Sequence, residues 1–187
     1  MDQTDGPAVT ACTRCPALVG SRSQIVNGTG PEDASLVFVG EAPGKNEDSQ
    51  GEPFVGRSGS VLDDELAAHG VAREDVRITN CVRCRPPDNR DPHVEELSSC
   101  TDWLAHELAV LEPELLVTLG KVPGEHVLER SLAVTNESGT RETIELGDRS
   151  YDVMVCLHPA ATLYDRSQEE LFGATIESAL NHAGLLE

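Results

Sequence analysis

Lysine is nearly missing from this chain. Only Lys45 and Lys121 stand among its 14 basic residues, which face 33 acidic ones for a formal charge of -19 over 187 residues. So negative a chain argues against binding nucleic acid by overall charge. The scarcity of lysine fits a surface adapted to molar salt, the halophile pattern, where acidic groups stay hydrated and their repulsion is screened. Also absent are any apolar run of membrane-spanning length, a basic or apolar leader in the first thirty residues, internal repeats and low-complexity tracts. These absences predict a soluble, cytoplasmic, monomeric chain, long enough for one domain with a real core and too short for two. A Walker phosphate loop is excluded as well. Only three residues separate Gly40 from Gly44, and Asn46 follows the lysine where Ser or Thr is needed.

What is present centres on Leu36-Val37-Phe38-Val39-Gly40-Glu41-Ala42-Pro43-Gly44. The apolar run reads as a buried parallel strand. The turn after it, with a proline that lacks an N–H and two permissive glycines, delivers a carboxylate at the strand's carboxyl end, where open α/β sheets hold ligands. Residues 1–30 read as irregular, and Gly40 to Ser58 as a loop too long to be a mere connection. A helix is predicted over Gly59 to His69, then a strand Val76 to Asn80, then a helix starting at Asp91-Pro92 and running to Pro113. Leu115 to Leu119 and Tyr151 to Leu157 are further core strands, the second delivering His158-Pro159. A hairpin is expected around Asn136 to Gly139, and a Ser167/Glu170 capping box opens the last helix. Alternating strands and helices imply a four-stranded parallel sheet covered on both faces, a three-layer α/β/α sandwich.

Six cysteines in a chain without a secretory leader argue for metal chemistry ahead of disulfides. The two C-x-x-C pairs, Cys12/Cys15 and Cys81/Cys84, suit a four-thiolate zinc site. The competing set is Cys12, Cys15, Cys84 and Cys100, with Cys100 folding back from a helix, which suits an iron-sulfur cube. Spacing leaves both open, although Cys81 and Cys156 sit where small buried hydrophobes belong on core strands. Arg77, Arg83, Arg85 and Arg90 fall within fourteen residues opposed by Asp88 alone, a positive segment in a negative chain.

Taken together, Cys12-x-x-Cys15, the Gly40 to Gly44 turn with Glu47 and Asp48, Gly51-Glu52-Pro53-Phe54-Val55-Gly56, Thr79-Asn80, Cys84-Arg85-Pro86-Pro87 with Asn89-Arg90, Cys100 and His158-Pro159-Ala160 resemble the family 4 uracil-DNA glycosylases. The likeness runs from about Cys12 to Tyr164. It implies excision of uracil from DNA and a 4Fe-4S cluster on Cys12, Cys15, Cys84 and Cys100. By that likeness Phe54 stacks on the uracil, Asn80 reads its N3–H and O4 edge, Glu47 excludes the thymine methyl, and His158 bonds the developing anion. Glu41, Ala42 and Pro43 line the other side. With Ala at position 42, no carboxylate there can orient water, which leaves Glu41, Glu47 and Asn89, and Glu41 is favoured.

Because an amide can flip, discrimination against cytosine requires a bond that locks Asn80. The loop from His158 to Tyr164 should enter the minor groove, with Leu163 or Tyr164 as wedge. Arg57, Arg83, Arg85, Arg90 and Arg166 are the phosphate-contact candidates. The DNA-crosslinking branch of the superfamily carries Gln at the Ala42 position and a basic insertion before the fourth strand, and this chain has neither. A rival of another class is a metal-stapled nucleic-acid-binding module without catalysis, which would need the cysteines and arginines but no convergence of Glu41, Asn80 and His158. A sliding-clamp partner is not readable from the sequence.

Overall fold

The computed structural model describes residues 2–186. The first thirty residues are more regular than their sequence suggests. β1 (Gln3–Asp5) and β2 (Ala8–Ala11) form a hairpin turning at Gly6, whose φ of 54° suits glycine, and α1 (Pro16–Ser21) follows. Asn27 fixes this flap by accepting from the Val9 amide at 2.8 Å and donating to the Val9 carbonyl at 3.0 Å. Such a hairpin, with β1 wholly exposed, carries no apolar periodicity from which it could be read.

β3 (Leu36–Gly40) is the first core strand. The long loop after it holds a two-turn helix, α2 (Lys45–Gln50), before α3 (Arg57–Ala68). β4 (Arg77–Asn80) leads to α4 (Val94–Leu111), and β5 (Leu115–Leu119) to α5 (Lys121–Leu128) and α6 (Val134–Glu137). β6 (Arg141–Leu146), β7 (Arg149–Cys156), α7 (Ala161–Tyr164) and α8 (Ser167–His182) complete the chain. Among the described residues no helix is long and apolar enough to cross a membrane.

The four expected strands pair in parallel in the order β4-β3-β5-β7, and an antiparallel fifth, β6, closes the edge beside β7. The predicted hairpin around Asn136 to Gly139 is therefore displaced. That segment is α6, with the Glu137 carboxylate accepting from the Ala133 amide at 2.8 Å, and the reversal occurs at Gly147, whose φ is 63°. α4 starts at Val94 instead of Asp91-Pro92 because Glu96 reaches back to accept the His93 amide at 2.7 Å. α8 is opened by Asp165, which accepts from both the amide and the hydroxyl of Ser167, so the Ser167/Glu170 box does not form.

Alternation along the strands divides the core. Leu36, Phe38, Ile78 and Val117 face α3 and α8 through Leu62, Leu66, Phe172 and Ile176. Val37, Val39, Leu116 and Val155 face α4 and α5 through Leu104, Leu108 and Val127. Both faces of the sheet are buried, so only strand ends are free to present chemistry.

Candidate active site

The carboxyl ends of the parallel strands supply the site. Gly40 and Asn80 are register partners at the ends of β3 and β4, and Leu119 and Cys156 at the ends of β5 and β7. The ladder continues one step, with the Cys81 amide on the Gly40 carbonyl and the Val82 amide on the Glu41 carbonyl. His158, two residues beyond β7, lies against Gly120, where a Cβ would sit 3.1 Å from its own. Phe54 reaches the same edge from the long loop, its ring centroid 6.1 Å from that of His158. Gly40 makes the convergence possible, since a Cβ there would stand 2.4 Å from both Asn80 Oδ1 and Phe54 Cε2. Glu41, Phe54, Asn80 and His158 thus belong to one edge of one sheet.

His158 Nδ1 accepts from the Ala160 amide at 3.1 Å, which leaves the proton on Nε2. Burial holds its pKa below the ordinary imidazole value, so the ring is neutral at pH 7. Glu41 moves the other way. Burial and then the nearby Asp91 carboxylate push its pKa up to about 7. Asn80 is buried, yet no side-chain hydrogen bond holds its amide among the described residues. The lock expected from the sequence is not seen among the described residues, where the amide oxygen packs over Gly40.

Phe54 itself is strained. Its φ of 54° is left-handed, costly for a bulky residue, and must be imposed by its surroundings. Glu47 does part of this, accepting from the Val55 and Gly56 amides at 3.2 and 3.3 Å and from the Gly44 amide at 3.1 Å. Its carboxylate ties the Phe54 loop to the turn after β3. On the other side Arg73 donates to the carbonyls of Phe54, at 2.9 Å, and Pro53. Nothing in the sequence pointed to Arg73.

A small concavity away from these residues is lined by Cys12, Cys15, Cys84 and Cys100 together with Arg14, Arg22 and Trp103. Cys81 and Cys156 are wholly buried and do not line it, although Cys81 packs in the same core cluster as Cys84 and Cys100. Burial raises the Cys100 pKa to about 11, and raises those of Cys15 and Cys84 as well, although Arg22 opposes the rise at Cys84. Arg22 Nη1 lies 2.9 Å from Cys84 Sγ while Nη2 donates to the Cys12 carbonyl. Among the described residues no three Cys, His, Asp or Glu side chains are close enough to hold one metal ion.

The model of the uracil DNA glycosylase superfamily matches residues 27–180. The chain belongs to this superfamily. Within it, the chain is 39% identical to a type-4 uracil-DNA glycosylase of Archaeoglobus fulgidus over 83% of its own length and 80% of the relative's. It is likewise 39% identical to a type-4 enzyme of Thermotoga maritima, over 86% and 82% of the two chains. A type-5 uracil-DNA glycosylase of Thermus thermophilus is 32% identical over 64% of this chain and 68% of its own.

In this uracil-DNA glycosylase superfamily member the remaining candidates are scattered. Arg83 cannot touch a phosphate. It is almost fully buried and paired with Glu107 at 2.6 Å, a correction to its expected role whose cause is the acid on α4. Arg90 is held by both oxygens of Glu96, at 2.7 and 2.8 Å, and Arg85 donates to Asn89 Oδ1 at 2.6 Å. Asn89 is exposed on a turn with φ of 54°, with its side-chain oxygen engaged by Arg85. Arg57 and Arg166 are exposed, as are Leu163 at 39% and Tyr164 at 85%, on the short α7 beyond His158. Ala42 and the buried Pro43 border the turn after Glu41.

Proposed function

We propose that the protein excises uracil from DNA by hydrolysing its N-glycosidic bond. The observation that carries this is the meeting of the Phe54 ring and the Asn80 amide over Gly40, with the neutral His158 ring centred 6.1 Å from that of Phe54. A metal-stapled binding module would have no use for that convergence. The target nucleotide leaves the duplex and its base enters this edge, with Phe54 on its face and Asn80 on its N3–H and O4. As the N1–C1′ bond breaks, its electron pair stays on the base and charge grows on O2. The Nε2–H of His158 donates to that oxygen, which is electrostatic stabilisation by a group already in place. Water bonds to C1′ and gives its proton to Glu41, leaving the uracil anion, an abasic sugar and a protonated Glu41, whose proton then neutralises the departing base. Leu163 or Tyr164 fills the vacated stack, while Arg57, Arg85 and Arg166 meet phosphates.

Incubation with duplexes carrying U:G, U:A and T:G pairs tests this. Uracil release from the first two and none from the third is expected, and binding without release would favour the module. Glu41 predicts the acid limb. A base must be ionised, so the single-turnover rate should rise with pH through about 7 and flatten above it. Glu41→Gln should abolish the limb, and an unchanged profile would remove Glu41 from the chemistry.

The four-cysteine concavity fits a 4Fe-4S cluster better than a zinc ion. It collects Cys12, Cys15, Cys84 and Cys100 but not Cys81, and a guanidinium rests on Cys84 Sγ. When bound, such a cluster would cross-link the amino-terminal segment to α4 and so stiffen the arginine-bearing stretch between them. Cys100→Ser should bleach the visible absorption of the purified protein, and Cys81→Ser should leave it. The reverse would restore the zinc pairing of Cys12/Cys15 with Cys81/Cys84.

A further inference from the structure

We propose that Arg73 is a positioning residue for substrate capture, acting through Phe54. The inference rests on the reading of Phe54 as the surface on which uracil stacks. Arg73 lies just before β4, away from the strand ends, and its guanidinium spans three acceptors: the carbonyls of Pro53 and Phe54 and, at 2.9 Å, Asp63 on α3. The planar fork of arginine can hold two successive carbonyls and a carboxylate at once. Those carbonyls lie directly behind the residue whose φ is 54°, so the charge fixes the backbone in a conformation that a phenylalanine would leave if freed.

Two further contacts make Phe54 over-determined. Glu47 holds the amides that follow it, and Gly59 leaves the space its carbonyl occupies, since a Cβ at Gly59 would stand 1.7 Å from the Phe54 oxygen. Glu47 thus grips the donors on one side of the ring and Arg73 the acceptors on the other. With the ring pre-set over Gly40, the flipped base meets a finished stacking face. Without Arg73 that face must be ordered during binding, at a cost to affinity. The stacked ring touches the base both before and during bond breaking, so the loss falls on KM more than on kcat.

The test is a double-mutant cycle on uracil-containing duplex, with KM and kcat measured separately. Arg73→Ala should raise KM about tenfold, or about 1.4 kcal/mol, within the range of one base–aromatic stack, with kcat changed less than about threefold. Arg73→Lys, which keeps the charge but loses the fork, should fall between and folds even if the alanine variant does not. In a Phe54→Ala background the same substitutions should change KM less than about twofold, because the ring they position is gone. An equal loss in both backgrounds, or a loss confined to kcat, overturns the proposal. A wild-type protein that releases no uracil would instead overturn the functional reading beneath it.

Discussion

Replacing His158 with alanine should slow single-turnover release of uracil by about 100 to 1,000-fold, the usual cost of removing one donor aimed at a developing oxyanion. The reason lies in the hydrogen bond on the far side of the ring. Ala160 donates to Nδ1, so the only proton of the neutral imidazole is on Nε2, the nitrogen left for the base. The position is half-buried and no carboxylate bonds the ring among the described residues, so desolvation lowers the pKa. A neutral donor serves an anion formed late in bond breaking without binding the ground-state base so tightly that the gain cancels.

The same depressed pKa has a stability signature. The unfolded chain takes up a proton on this ring more readily than the folded one, so the contribution is complete above the ordinary histidine value and is lost as pH falls through the folded one. Melting temperature should therefore drop below about pH 6.5 in the wild type and less steeply in His158→Ala. If His158→Ala retains near-native rates, the oxyanion role is wrong, and uracil departs without help from this ring.

The strands were legible because their residues obey one rule throughout. Leu36 to Val39, and Leu115 to Leu119 but for the buried Thr118, are apolar without alternation, as a sheet buried on both faces demands. The turn after β3 and the His158-Pro159 step were legible because Gly and Pro mark chain reversals by their own stereochemistry. What escaped was set by partners distant in sequence. β6 alternates exposed and half-buried residues, a weak signal that acquires meaning only beside β7. Arg73 looked like any surface arginine, since two of its three acceptors are main-chain carbonyls, 19 and 20 residues away, that carry no sequence mark. The expected lock on Asn80 has no side-chain partner among the described residues.

Arg83 departs from its expected role for a different reason. Its neighbours in sequence are Arg85 and Arg90, whereas its environment is written on α4. Leu97, Cys100, Leu104, Leu108 and Leu111 recur at helical spacing, and Glu107 falls on that same buried stripe. An acid on an apolar face must find a cation, and the nearest arginines in the fold are Arg77 and Arg83.

That carboxylate carries the largest stability prediction. Glu107 is fully buried and accepts from Arg77 Nε at 2.9 Å, Arg83 Nη2 at 2.6 Å and the Thr79 hydroxyl at 2.8 Å. Gly28 gives it room, since a Cβ there would stand 2.2 Å from Oε1. Two buried cations share one anion, with the carbonyl of Gly30 completing the shell of Arg77, while Arg83 Nε has no partner among the described residues. Glu107→Ala would strand both guanidiniums in the core, at a cost of about 3 to 5 kcal/mol. In a chain of this size that lowers the melting temperature by on the order of 10 °C.

Stability of the whole triad is a separate matter from its rupture. Exchanging Arg77, Arg83 and Glu107 together for apolar residues of similar volume should recover most of the loss, since desolvation offsets much of what a buried ion pair contributes. The triad's position then gives it a second consequence. Arg77 and Thr79 belong to the strand that ends in Asn80, and Arg83 adjoins Cys84. A triple variant that melts near the wild-type temperature yet reads uracil poorly would assign the ion pairs to fixing the strand end. Near-native melting of Glu107→Ala alone would mean that water reaches the stranded arginines, against the burial seen at all three residues.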